Sequence, residues 1–264
     1  MCGRYLITSA PDAIRNLFRY PEQPNFPARH NIAPTQPVPI VRMMDQGRQF
    51  ALVRWGLIPT WVKDPKTFSL LINARGESAN EKPAFKNAMK RRRCLFPADG
   101  FYEWKEIGGR RKAFFAHPVA EGPVAFAGLY ETWMGPNGEE VETAAIITTQ
   151  ANSALSTIHH RAPVIVPPEQ FDFWLDCRNV DERSAAELFV PAPEGTWAVR
   201  EVSPAVNKVA NDSPELLQAY DSDTAPVDPP KPKPRAKPAK EEDSRQGSLS
   251  VSYTHLTLPT NREV

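Results

Sequence analysis

Cys2 lies in the opening run Met1-Cys2-Gly3-Arg4. Once Met1 is removed it becomes the first residue, with its sulfur and a free α-amine two carbons apart. Such a 1,2-aminothiol does what no internal cysteine can. The amine condenses with an aldehyde, the thiol closes onto the imine, and a five-membered thiazolidine results. An α-amine pKa of about 7.7–8.0 leaves a useful neutral fraction near neutrality. A thiol of ordinary pKa about 8.5 is expected to fall beside a positive charge such as Arg4. The alternative is a chance cysteine on a frayed terminus.

Four further places carry usable chemistry. Asn73 and Arg75 are two apart, so on extended backbone they share a side, where an amide and a guanidinium can hold a phosphate or a reacting amine. The alternative is a loop anchor. Glu103 lies among aromatic residues in Gly100-Phe101-Tyr102-Glu103-Trp104-Lys105. Apolar surroundings raise a carboxyl pKa and make it a proton donor near neutrality, unless it is a half-exposed strand glutamate. His159-His160-Arg161 precedes an apolar strand. On a strand, neighbours point opposite ways, so both histidines cannot ligate one metal; one serves as an acid/base and the other is solvated. Arg4, Arg75, Arg161 and the run Lys90–Arg93 are a candidate phosphate patch, with Trp61, Phe101 and Trp104 able to stack against bases. Otherwise the charge run is a solvated helix end and the tryptophans are core.

The elements that must position these residues follow from pattern. Ser9 to Tyr20 reads as a helix capped by Ser9, with Pro11 in its first turn and Ile14, Leu17 and Phe18 on one face. Val38–Met43 and Phe50–Trp55 form a hairpin turning near Asp45-Gln46-Gly47. Leu70–Ala74 is a short apolar run, and Pro83 to Arg93 a helix with Phe85 and Met89 inward. Cys94–Lys105 reads as strand, turn, strand, broken at Pro97 and Gly100. Ala113–His117, Val124–Trp133 and Glu142–Thr149 are strands, the last two joined through Gly135-Pro136-Asn137-Gly138. Ser156–Val166 is extended. Phe171, Trp174 and Leu175 share a helix face, Asp181 caps another helix, Trp197–Ser203 is a late strand, and Ser213 opens a last helix. Strands in hairpins without βαβ alternation give an α+β class: an antiparallel, strand-rich, barrel-like core with peripheral helices in a single domain over residues 1–221.

Composition bounds the partners. The 264 residues are 41% hydrophobic, enough for a real core. The three cysteines Cys2, Cys94 and Cys177 form no CxxC pair, so neither a disulfide framework nor a cysteine zinc site is indicated, and no cofactor is called for. A reducing, cytoplasmic setting fits. There is no apolar leader and no run near the roughly 20 residues of a membrane span. Net charge is +1, and removing the 7 basic and 6 acidic residues from Asp223 onward leaves 25 of each. Nucleic-acid binding therefore needs a local patch. From residue 222 the chain changes character. Pro229–Lys240 alternates Pro with Lys or Arg and reads as a disordered basic tail, and Val251–Val264 as a sequencing or assembly artefact with no function placed there.

Seven segments in this order resemble the SOS-response-associated peptidase family, the abasic-site processing proteins. They are Met1-Cys2-Gly3-Arg4-Tyr5, Asn31-Ile32-Ala33-Pro34, Trp55-Gly56 with Pro59, Ile72-Asn73-Ala74-Arg75, Ala98-Asp99-Gly100-Phe101-Tyr102-Glu103-Trp104, Ile158-His159-His160-Arg161-Ala162-Pro163 and Val202-Ser203-Pro204-Ala205-Val206-Asn207. The family pattern around the histidine is Ile-His-Asp-Arg-Met-Pro, so His160 stands for an aspartate and Ala162 for a methionine. Gly76-Glu77-Ser78 replaces the family's Ala-Glu-Thr.

The resemblance implies a monomeric protein that removes its own Met1, binds single-stranded DNA, and crosslinks Cys2 to the ring-opened aldehyde of an abasic site. The link shields the lesion in the DNA damage (SOS) response, on the nucleoid when bound. It implies that Glu103 moves the proton at the sugar oxygen, Asn73 holds the amine, His159 serves the lesion's phosphate or sugar, and Arg4, Arg75 and Arg161 grip phosphates. Trp104 would fill the space of the missing base, with Trp61 a further stacking surface. The alternatives are an N-terminal-nucleophile cysteine amidohydrolase, a protease acting on other proteins, and a plain single-strand-binding module.

Overall fold

Strand pairing closes the chain on itself. The computed structural model describes residues 2–224, so the tail expected from residue 222 lies almost wholly outside the described residues. The chain order begins with β1 (Tyr5–Ile7), α1 (Pro11–Phe18), β2 (Arg29–Ile32), β3 (Pro37–Met44), β4 (Gly47–Trp55), β5 (Asn73–Arg75), α2 (Gly76–Ala79) and α3 (Pro83–Arg91). It continues with β6 (Arg93–Ala98), β7 (Gly100–Ile107), β8 (Arg110–Pro118), β9 (Val124–Met134), β10 (Glu140–Gln150) and α4 (Ser153–Ser156). Last come β11 (Arg161–Pro163), β12 (Ile165–Val166), α5 (Phe171–Leu175), α6 (Glu182–Ala186) and β13 (Trp197–Val202).

β10, β4, β3, β6 and β9 pair in turn, and β9 pairs back onto β10, so five strands make a closed barrel. Closure removes the exposed edges that an open sheet would carry. A second sheet has the order β13-β8-β7-β1-β2. The chain passes from barrel to sheet at Gly100, whose φ is +151° and where a Cβ would lie 2.5 Å from the Ala116 carbonyl oxygen, so only glycine fits. The Tyr5 ring meets Trp55 edge-on at 5.2 Å and Phe96 at 6.4 Å, docking β1 onto the barrel.

Most pairing is antiparallel, as the hairpins predict. The exceptions are β4 and β5, which run parallel to β10. The connection from residue 56 to 72 releases β5 from hairpin geometry and lets it enter that way. Four local expectations give way. Ser9 does not cap α1, because its hydroxyl and backbone N–H, with the Thr8 N–H, are gathered by the Asp99 carboxylate; Ala10 takes the cap position instead. Pro97 does not break β6. Ser156–Val166 is not one extended run, because Asn152 accepts from the Leu155 N–H and nucleates α4, followed by a bend. The segment opened by Ser213 makes only a short 3-10 turn over Pro214–Leu217.

The basic run does not form a patch. Lys90 faces Glu182 at 3.4 Å, Arg92 faces Glu131 at 3.2 Å, and Arg93 is buried at the start of β6. The Arg93 guanidinium donates to four backbone carbonyls: Trp174 (2.6 Å), Met89 (2.9 Å), Asp176 (2.7 Å) and Val180 (2.8 Å). It thereby ties the ends of α3 and α5 to the barrel. Replacing Arg93 by Met keeps the bulk but orphans those carbonyls. Urea unfolding is expected to register a loss of about 3 kcal/mol.

Candidate active site around Cys2

β1 carries the N-terminal segment between β2 and β7. Just ahead of it Cys2 is 0% exposed, in the same core cluster as Tyr5 and Trp55. Its thiol faces the Arg4 carbonyl at 3.9 Å. Burial first, and then the negative charge of Glu103, push this thiol well above its ordinary range, so the expected drop does not occur. Arg4 supplies no relief. Its guanidinium turns away to donate to Asn31 Oδ1 (2.7 Å) and the Val206 carbonyl (2.9 Å).

Asn73 opens β5 in register with Ile146. Its Nδ2 donates to the Cys2 carbonyl at 2.7 Å. Its Oδ1 is buried and accepts no hydrogen bond among the described residues. Glu103 sits on β7 opposite Phe114 and is 4% exposed. Its charge acts on both the Cys2 thiol and the His159 ring. His159 lies in the bend between α4 and β11. There its Nδ1 accepts from the Arg161 N–H at 2.9 Å, which leaves Nε2 to carry the proton of the neutral ring. Lys105 Nζ donates to the Thr157 carbonyl at 2.6 Å, fastening that bend to β7. Cys2, Asn73, Glu103 and His159, on four separate segments, thus form one group.

The two histidines do not diverge. A bend has no strand alternation, and their rings stack with centroids 4.4 Å apart and planes at 24°. Burial above all holds the His159 pKa below its ordinary 6.5; Glu103 opposes the shift, and the neighbouring His160 adds to it. Among the described residues no three His, Cys, Asp or Glu side chains gather as a metal site would need.

The expected DNA-facing residues divide. Arg75 is exposed at the end of β5, and Trp61 is 57% exposed, edge-on to Phe68 at 5.5 Å. Trp104 is not brought to Cys2. Alternation along β7 turns it to the opposite face from Glu103, packed against the cluster that holds Tyr102 and Phe115. Its ring lies 5.7 Å from the Arg4 guanidinium and 5.3 Å from that of Arg111, and its Nε1 donates to Asn207 Oδ1 at 2.6 Å. Arg161 is turned inward at 8% exposure and bound to Glu77.

Sequence reasoning gave no role to Asn31. It is fully buried, accepts from Arg4, and donates to the carbonyls of Val206, Lys208 and Asn211, so it binds the late segment to β2. The only signal was its place in one of the seven segments.

Residues 1–209 match the family described as SOS response associated peptidase (SRAP). The chain belongs to this family. Among relatives, it is 37% identical over 225 residues to the abasic site processing protein YoqW of Bacillus subtilis, covering 83% of this chain and 100% of that one. It is 32% identical over 231 residues to abasic site processing protein YedK of Escherichia coli, covering 83% and 99%. With abasic site processing protein HMCES of Gallus gallus it shares 36% over 189 residues, covering 62% of this chain and 56% of that one. Two solved structures share the fold. A protein of Bacteroides thetaiotaomicron has TM-score 0.74 at 24% identity, over 83% of this chain and 100% of its own. A phage-related protein of Bordetella bronchiseptica has TM-score 0.61 at 31% identity, over 76% and 94%. Among the described residues no helix is long and apolar enough to cross a membrane.

The stacked pair makes a pH statement that can be checked. With the folded His159 value depressed, the unfolded chain binds that proton more readily just below pH 6.5, so this group makes stability rise with pH through that window. His160→Asp replaces a neighbour that lowers the value by an anion that raises it. An NMR titration of His159 is expected to move upward in this variant, and the stability gain through that window to shrink.

Proposed function

We propose that this protein processes abasic sites in single-stranded DNA, using Cys2 as the group that bonds to the lesion. The observation that carries this reading is the hydrogen bond from Asn73 to the Cys2 carbonyl, made where Glu103 acts on both the cysteine thiol and the His159 ring. The relatives named as abasic site processing proteins support it.

Cys2 has no exposed surface in the chain that still includes Met1. A macromolecular aldehyde cannot meet a thiol in that state. We therefore place removal of Met1 first: water cleaves the Met1–Cys2 peptide and frees the α-amine. The amine then adds to C1′ of the open deoxyribose. Loss of water gives an imine, with Glu103 protonating the departing hydroxyl. The thiol adds across the C=N bond, forming the C–S bond while its proton passes to nitrogen. Because burial holds the sulfur protonated, the amine attacks first and the thiol follows within the same molecule, where proximity replaces thiolate concentration. The orphaned Asn73 Oδ1 suits an N–H of the freed amine, and His159 Nε2 can donate to the lesion's phosphate or sugar oxygen. Arg75 and Trp61, both in solvent, provide phosphate contact and base stacking; Arg4 braces the segment from behind.

Wild-type protein is expected to form a denaturant-resistant adduct with an oligonucleotide carrying one abasic site. Cys2→Ala gives none. Cys2→Ser gives no stable adduct, since oxygen closes a weaker ring. Intact-mass measurement finds Met1 absent from the reactive protein. Ammonia release from glutamine by the purified protein, without any DNA adduct, would favour the amidohydrolase reading and sink this one.

A further inference from the structure

We propose that Glu77 and Arg161 are positioning residues, a clamp laid across β10 that holds the strand bearing Asn73 and the bend bearing His159 in fixed relation. The proposal rests on the reading of the Cys2 site above and adds two side chains that touch neither Cys2 nor its carbonyl.

The topology creates the need. Thr148 of β10 pairs with Arg75 of β5 on one side and with Pro163 of β11 on the other. β10 therefore separates the strand that begins with Asn73 from the strand that follows His159. Across two inter-strand spacings, β5 and β11 stand roughly 10 Å apart, and each is short. Three residues of pairing apiece leave both free to shift separately.

Arg161 spans the gap with both its halves. Its backbone N–H donates to His159 Nδ1 at 2.9 Å, which fixes the tautomer and ring orientation. Its guanidinium crosses β10. Nε donates to Thr148 Oγ1 at 3.2 Å, Nη1 to Glu77 Oε1 at 3.0 Å, and Nη2 to Glu77 Oε2 at 2.8 Å and to the Thr148 carbonyl. Glu77 belongs to α2, which starts directly after β5. A Cβ on Gly76 would lie 2.9 Å from the Phe189 ring, so glycine there lets α2 press close enough to present Glu77. The planar, two-point fork of guanidinium and carboxylate resists rotation as a single contact does not. The pair also holds the Glu77 carboxyl below its usual range, Arg161 being the first cause.

Four of the five guanidinium N–H groups are thus engaged inside the protein. A side chain so occupied is an internal strut. One that grips DNA phosphates would need to leave Glu77 behind.

The test is Glu77→Gln, with Arg161→Lys as a second variant, read in three ways on the whole protein. Single-turnover adduct formation with an abasic oligonucleotide is expected to slow about tenfold in both, the usual scale for removing a support behind a reacting group. For Glu77→Gln, affinity for an intact oligonucleotide and its salt dependence stay at wild-type values. In nitrogen-15 NMR of the free protein, His159 passes from one neutral tautomer to a mixture. Tighter binding with a steeper salt slope in Glu77→Gln overturns the proposal, because it means that a phosphate-binding Arg161 has been released. Wild-type rate and tautomer, with or without a lower melting temperature, overturn it as well. If the wild type itself makes no adduct, the reading of the Cys2 site fails, and the His159 tautomer still decides the clamp.

Discussion

The amide hydrogen bond from Asn73 to the Cys2 carbonyl is the contact on which the site depends. It joins the chain's first ordered residue to a strand some seventy positions later, and that strand is held only through β10. Without it the N-terminal segment would have its thiol in the core but no fixed direction for its backbone. With it, the aminothiol is oriented by the barrel, which is the most constrained part of the molecule because its strands close without an edge.

Electrostatics at the site favour neutral partners. Burial works against the charged form of both the Cys2 thiol and the His159 imidazole, and Glu103 supplies the nearby negative charge that both of them feel. That arrangement disfavours a standing thiolate, which would be open to oxidation and disulfide exchange. It suits chemistry in which the sulfur acts late, after an amine has already engaged the electrophile.

Much of this was readable in the residues, for reasons that can be named. The hairpin of β3 and β4 turns at Asp45-Gln46, and α3 buries Phe85 and Met89, because local periodicity and turn chemistry settle such elements. Cys2, Asn73, Glu103 and His159 were nameable because each has a side chain whose chemistry is unusual for its surroundings. What could not be read was direction. Whether Arg161 faces solvent or Glu77 is decided by a strand two spacings away. Trp104 was assigned to the lesion, but pairing with β8 sets which face it takes. His159 and His160 stack because a cap at Asn152 starts a short helix and leaves a bend where a strand was expected. In each case long-range packing overrode a sound local inference.

β1 is only three residues long, yet it is flanked on both sides, by β2 and by β7, and pinned from beneath by Tyr5 against Trp55 and Phe96. Chain ends ordinarily sweep through many conformations, and a reaction at such an end must first halt that motion. Here the halting is accomplished when the protein folds. The loss of freedom is met by the folding of the whole sheet, and little of it is left to oppose bond formation when an electrophile arrives.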